Sequence, residues 1–171
     1  MKSLNKQQGS FIIELAFVLI FLCLLTLFTA DIAMQLFTRT KLDRVSYSLV
    51  NVLKERTRFY NGNRSINSDS QSLNAVATKL LGNNEFGLVI DAFDGNEKLN
   101  INTIALPNSV TCKHSPFNKA LIPVNSNDPN NTVRTPVYQV TLCEKYHSWF
   151  GKFTHGSTEF MIQSTSVMPG R

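Results

Sequence analysis

The chain has 171 residues, enough for one soluble domain of ordinary size or for a smaller domain with a membrane anchor. Its formal net charge is +5, but the basic residues are scattered, which argues against a nucleic-acid-binding protein. The exception is a basic group between Arg39 and Arg58, which we assign to the solvated flank of a helix, with a headgroup contact for Arg39 and Lys41 as the alternative.

The apolar residues are concentrated near the N-terminus, from Phe11 to Ala30, where Glu14 is the only charged residue. About 20 helical residues span a bilayer core, so this run predicts a transmembrane helix over residues 10–30. A cleaved secretory signal is the alternative. Its apolar region would be only about 7–15 residues long and would have no reason to contain an acid.

Glu14 is the informative residue of this run, because a carboxylate at membrane depth costs about 2.5–3.5 kcal/mol on insertion scales. It therefore needs a partner or a position close to the interface. The residues around it, KQQGSFIIE, resemble a type IV prepilin cleavage site. The resemblance implies that residues 1–9 are a leader, that a prepilin peptidase cuts between Gly9 and Ser10, and that Glu14 becomes the fifth mature residue.

Cleavage would create a new ammonium group at the membrane interface, and Glu14 of a neighbouring helix could pair with it. Such a pair offsets the cost of burying each charge, so it favours the assembled state over the isolated subunit. We also expect Gly9 to break the helix and give a protease access to the backbone.

The helix is expected to continue beyond the membrane, since neither Gly nor Pro occurs between Ser10 and Asn61. An apolar stripe at steps of three and four predicts an amphipathic continuation over residues 31–60, within a helix from about residue 11 to 58. The stripe consists of Leu42, Val45, Leu49 and Val52. Asp31 is expected to be an ordinary residue at the outer membrane boundary.

Residues 61–171 predict an α+β domain outside the cytoplasm. A surface loop over 61–72 and a short helix from about Leu73 to Leu81, ended by Gly82, come first. Four strands of an antiparallel sheet follow, with a long irregular connection over 107–135 in the middle. The strands are expected at Gly87 to Phe93, Lys98 to Leu106, Val137 to Tyr146 and Thr158 to Met168, the first two joined by the turn Asp94-Gly95-Asn96. Together, the long N-terminal helix and the small sheet domain resemble the lollipop-shaped fold of pilin-like proteins.

The chain has three cysteines, and Cys23 lies inside the apolar run. If the domain lies in an oxidising compartment, a disulfide between Cys112 and Cys143 is the simplest interpretation, and two buried free thiols are the alternative. Neither cysteine belongs to a CxxC pair, so a metal site is not expected.

No residue pattern predicts an active site or a bound cofactor. His147, His155 and Glu159 could ligate a metal only if their segment were helical, and we assign them to an exposed loop instead. The aromatic cluster of Tyr146, Trp149, Phe150 and Phe153 is more informative. We expect it to cover the open end of the core, with an exposed contact to another subunit as the alternative.

The run SFIIELAFVLIFLCLLTLFTADIA, the helical stripe to about Tyr60, the segment YQVTLCEKYHSWFGKF and the terminal SVMPGR resemble one group of pilin-like proteins. They are similar to the TadE/TadF minor pseudopilins of tight adherence (Flp, type IVc) pili, and most similar to TadF. The resemblance implies a non-enzymatic subunit that initiates or supports pilus assembly, in adhesion and biofilm formation. Its implied partners are a TadE-like pseudopilin, the major Flp pilin, the inner-membrane assembly platform and the prepilin peptidase, in a hetero-oligomer.

The resemblance also implies a single-pass protein of the bacterial inner membrane, with the leader cytoplasmic and the domain periplasmic or carried into the pilus. The positive-inside rule alone conflicts with this, since Arg39, Lys41 and Arg44 follow the apolar run. The expected disulfide and the prepilin-like leader favour the leader-inside orientation. The alternative function is a membrane-anchored periplasmic domain that binds a ligand or acts as a small enzyme.

Overall fold

The computed structural model describes residues 7–55, 66–82, 85–93, 101–106, 110–113, 115, 122, 135–152 and 156–170. Within these residues the chain forms two helices and a four-stranded antiparallel sheet. The predicted α+β lollipop is therefore confirmed: a long N-terminal helix carries a small sheet domain on its C-terminal half.

Helix α1 runs without interruption over Gln7–Lys54, which makes it about 72 Å long. It starts earlier than predicted and ends earlier, because Glu55 already forms a turn, while residues 56–58 of the predicted helix lie outside the described part of the chain. The expected break at Gly9 is wrong, because Gly9 lies inside the helix. A single glycine lowers helix propensity by only about 1 kcal/mol, which its helical neighbours compensate.

Helix α2 covers Ile66–Leu81, so the loop predicted over residues 61–72 is wrong from Ile66 onwards. Asn, Ser and Asp favour turns because their side chains compete for backbone hydrogen bonds. Here packing overrides that preference, since Leu73, Ala77 and Leu81 are buried at a spacing of four.

The C-terminus of α2 is fixed by two contacts. Gly82 follows it with a φ of 74°, the left-handed conformation that commonly ends a helix. The Lys41 Nζ of α1 donates a hydrogen bond to the carbonyl oxygen of Leu81 over 2.7 Å. A cation at the negative end of the helix dipole ties α2 to α1.

The sheet has the strand order β2-β1-β3-β4, and all of its neighbours are antiparallel. The predicted pairing of the first two strands and of the last two is confirmed, while the turn predicted at Asp94-Gly95-Asn96 lies outside the described residues. The strands are β1 Phe86–Phe93, β2 Ile101–Leu106, β3 Val137–His147 and β4 Glu159–Pro169.

The C-terminal half of α1 packs on the inner face of the sheet and makes the main core. The helix contributes Leu42, Val45, Leu49, Val50 and Leu53, and the sheet contributes Leu88, Ile90, Tyr138, Val140, Leu142 and Ile162. The predicted stripe is right at its first three positions and wrong at Val52, which is 63% exposed. Val50 and Leu53 take its place.

Three serines form a hydrogen-bonded contact between α1 and β4. The hydroxyl of Ser46 is fully buried and lies 3.1 Å from the Ser164 hydroxyl and 2.8 Å from that of Ser166. Small side chains let the helix approach the strand, and the paired hydroxyls satisfy one another in a buried position.

The outer face of the sheet is covered by described parts of the long connection, which are irregular as predicted. Cys112 forms a disulfide with Cys143 of β3, and Val110 packs beside it against Val89. Further along, Gln139 Nε2 donates hydrogen bonds to the buried Asp91 carboxylate over 3.0 Å and to the Ser115 carbonyl over 2.9 Å.

Gly87 makes the disulfide crossing possible, because a Cβ at this position would collide with the Val110 carbonyl oxygen and would lie within 2.7 Å of both sulfurs. We expect Gly87→Ala to lower the free energy of unfolding by about 1–3 kcal/mol, as overpacking does in other cores. Guanidinium unfolding of the detergent-solubilised full chain measures it.

The matched control is the same substitution in a Cys112→Ala, Cys143→Ala background, which removes two of the three crowding atoms. In that background Gly87→Ala should lower the free energy of unfolding by clearly less than it does in wild type. An equal cost in both backgrounds would contradict this account of Gly87.

Candidate functional site

The N-terminal half of α1 projects from the domain. Every side chain from Phe11 to Ala30, which we name the anchor segment, is exposed. By length and composition, α1 is the one helix among the described residues that could cross a membrane. Glu14 lies on this exposed surface, whereas the surroundings of Gly9 and Ser10 lie outside the described part of the chain.

The first polar residue after the anchor segment, Asp31, is buried to 5% exposure against the domain. Its Oδ1 accepts a hydrogen bond of 2.9 Å from the Tyr146 hydroxyl, and its Oδ2 accepts one of 2.6 Å from Ser148 Oγ. The backbone N–H of Trp149 points at Oδ1 over 3.4 Å. We name these four residues the Asp31 latch. The interpretation of Asp31 as an ordinary boundary residue is therefore wrong.

The electrostatics of the latch favour the ionised acid. Burial by itself raises the pKa of the Asp31 carboxyl, but hydrogen bonds from Ser148, Tyr146 and the backbone of Trp149 and Phe150 outweigh it and hold the pKa below its ordinary value. Burial and the hydrogen bond to Asp31 raise the pKa of Tyr146 to about 12. The phenol thus stays a donor and the carboxylate stays an acceptor at neutral pH.

The latch connects residues that are 115 or more positions apart in the chain. Tyr146 stands near the end of β3, and Ser148 follows that strand directly. Nothing in the local pattern of either segment predicts the contact, although a lone acid directly after an apolar run was a visible signal. The latch fixes this end of the sheet to α1 at the boundary of the anchor segment.

The aromatic cluster has two kinds of members. The Tyr146 ring packs on Phe160 with centroids 5.4 Å apart, next to the main core, and Phe150 meets Phe28 of α1 edge to face at 6.0 Å. Trp149 is 73% exposed, and Phe153 lies outside the described residues. Tyr146 therefore packs at the edge of the core, as expected for the cluster. The alternative role, a contact with another subunit, stays a prediction for Trp149.

The described residues contain no group of three or more His, Cys, Asp and Glu side chains placed to hold a metal ion. His147 Nδ1 lies 3.6 Å from Glu159 Oε1 across the paired ends of β3 and β4, and both side chains are more than half exposed. His155 lies outside the described part of the chain. The pair is an exposed cross-strand contact at the end of the sheet.

The latch should be sensitive to acid. Because the pKa of folded Asp31 lies below its ordinary value, the unfolded chain takes up the proton first as the pH falls. The stability that the ionised carboxylate contributes is therefore fully present above about pH 5 and is lost as the pH falls towards the folded pKa. The measurement is guanidinium unfolding of wild type and Asp31→Asn across this range.

We expect the stability difference between wild type and Asp31→Asn to be constant near neutral pH and to shrink on acidification. Asp43→Asn, which removes an exposed carboxylate from the same helix, is the matched control and should show no comparable loss. A wild-type advantage that grows at low pH would refute the role of the ionised latch.

Comparison with known proteins identifies the family. The family model TadF, described as "Putative tight adherence pilin protein F", matches residues 2–171. Neither the search of curated proteins nor the search of solved structures found a match. The match covers nearly the whole chain, including the anchor segment and the latch, and confirms the predicted resemblance. The chain belongs to the TadF family of tight adherence pilin proteins.

Proposed function

We propose that this protein is a minor pilin, or pseudopilin, that initiates or supports assembly of a tight adherence (Flp) pilus. Its work is packing of helices and domains rather than catalysis. The observation that carries the proposal is the anchor segment: a stretch of helix that is almost entirely apolar and exposed on every side, and whose outer end meets the domain through the contact of Phe28 with Phe150. Such a surface needs lipid or other helices around it.

The dimensions of α1 suit one membrane crossing. Glu14 and Asp31 are about 26 Å apart along the helix axis, which is close to the thickness of a bilayer core. Glu14 then lies just inside one interface, and Asp31 lies at the other with its charge held by the domain. We propose a single-pass inner-membrane protein with the leader cytoplasmic and the domain periplasmic.

Two further observations support this orientation. The disulfide between Cys112 and Cys143 suits an oxidising compartment. Lys41, one of the basic residues that conflict with the positive-inside rule, has its ammonium bound to the end of α2. One of the positive charges beyond the anchor segment is thereby engaged by the domain, which weakens the conflict with the positive-inside rule.

In the proposed mechanism a prepilin peptidase cuts between Gly9 and Ser10 and leaves a free ammonium group at the membrane interface. Glu14 lies one helical turn from the new terminus, so the carboxylate of one subunit can reach the ammonium of the next. The partners are a TadE-like pseudopilin, the major Flp pilin and the inner-membrane assembly platform. The hetero-oligomer serves pili used in adhesion and biofilm formation.

The processing step predicts the N-terminus of the mature protein. Protein extracted from membranes of cells that express the pilus system should begin at Ser10, as measured by N-terminal sequencing or intact mass. A Gly9→Val variant should retain Met1 and the leader, because the bulkier side chain obstructs the cut. An intact Met1 in wild type, or a start near Asp31, would refute the pilin-like processing.

Glu14 should matter for assembly more than for insertion. We expect the Glu14→Gln protein to reach the membrane as well as wild type, since a neutral side chain inserts more easily. Surface pili and the recovery of partner subunits should fall by at least about tenfold, which corresponds to a loss of about 1.4 kcal/mol in the free energy of subunit association. Pilus counts and co-purification from detergent measure both.

The matched control for Glu14→Gln is again Asp43→Asn, which removes an exposed carboxylate from the half of α1 that packs on the domain. It should assemble normally. Normal piliation of the Glu14→Gln strain would contradict the ammonium–carboxylate pair while leaving the membrane anchor itself intact.

A further inference from the structure

The turn that follows β3 exposes a large aromatic side chain beside the anchor segment. Trp149 is 73% exposed, yet its backbone N–H lies 3.4 Å from the buried Asp31 carboxylate. The backbone is thus held in place while the indole faces outwards. An exposed tryptophan at a fixed backbone position is available for a contact outside the domain.

The neighbouring residue gives the height of this turn along α1. Phe150 meets Phe28 edge to face with ring centroids 6.0 Å apart. Phe28 belongs to the last turns of the anchor segment and is still 43% exposed. The turn over residues 148–152 therefore lies level with the outer end of the segment that we propose to be in the bilayer.

The composition of the turn suits the headgroup region of a membrane. An indole has an apolar ring and one N–H donor, and tryptophan is enriched where hydrocarbon meets water for that reason. Lys152, also exposed, can extend its ammonium to lipid phosphates while its stem stays near the apolar surface. Both features occur on the side of the domain that is continuous with the anchor segment.

We propose that the turn over residues 148–152 is a second membrane contact, in which Trp149 sits in the outer headgroup layer beside α1. The inference rests on the proposed insertion of the anchor segment. A single helix leaves the attached domain free to tilt on the bilayer, whereas a helix and an adjacent tryptophan hold one tilt. Because the Asp31 latch locks the turn to α1, the domain is presented to neighbouring subunits in one orientation.

Trp149 is the only tryptophan of the chain, so its fluorescence reports on this site without substitution. The full chain is reconstituted into phosphatidylcholine–phosphatidylglycerol vesicles that carry bromine either near the headgroup end or near the methyl end of the acyl chains. We expect emission to the blue of aqueous tryptophan and a larger loss of intensity with the shallow bromine. Unquenched, water-like emission would overturn the proposal.

Two control variants calibrate depth in a Trp149→Phe background. Phe21→Trp places the probe about 15 Å from Asp31 inside the anchor segment, and Tyr47→Trp places it about 24 Å away on the domain side. Both positions are more than half exposed, so the new ring is accommodated. The first should be quenched most by the deep bromine, and the second by neither.

These controls separate the failure of the two proposals. If the Phe21→Trp probe is not quenched, the anchor segment is outside the bilayer and the proposed function fails as well. If that probe is quenched and Trp149 is not, only the second contact fails. Blue emission of Trp149 that bromine does not quench, and that shifts to the red when the protein is diluted with lipid, would assign the residue to a contact with another subunit and overturn the proposal.

Discussion

The packing of α1 on the sheet is the constraint on which the rest of the molecule depends. Each apolar side chain that the helix buries, such as Leu42, Leu49 or Leu53, contributes about 1.5–3 kcal/mol relative to an exposed position. Because α1 is one unbroken helix, the contact that holds its C-terminal half also sets the direction in which its exposed N-terminal half leaves the domain. The domain and the anchor segment are therefore joined through one continuous helix.

Apolar packing alone leaves the position of α1 on the sheet loosely defined, whereas buried hydrogen bonds between named atoms define it closely. Beside the Lys41 contact to α2, two polar contacts among the described residues join the helix to the sheet. Ser46 fixes the approach of α1 to β4, and the Asp31 latch fixes the end of β3. The latch stands where the anchor segment ends, and its carboxylate is buried as an acceptor for the Tyr146 and Ser148 hydroxyls and for the backbone N–H of Trp149. The outer face of the sheet is held separately, by the disulfide and by the Asp91–Gln139 contact, which tie down described parts of the long connection.

Much of this fold followed from local pattern. The uninterrupted apolar run and its amphipathic continuation predicted α1, and strand-like runs between turn signals predicted all four strands and both hairpin pairings. The failures have physical causes. Residues 66–72 are polar enough to favour a loop, but α2 extends through them because its apolar residues are buried by α1 and the sheet. Val52 fits the stripe by spacing, but the sheet covers the neighbouring strip of the helix surface, where Val50 and Leu53 lie.

The sequence by itself determined the anchor segment, the position of Glu14 relative to Gly9 and the resemblance to tight adherence pilins, because each of these depends on spacing along a single helix. Only the tertiary structure decided what Asp31 does and where Trp149 stands. Both depend on bringing the end of β3 against α1 across more than 110 positions of chain, and no local periodicity records such a contact. The anchor segment was thus visible in the amino-acid order, whereas its connection to the domain, through a buried carboxylate directly after that segment, was visible only after folding.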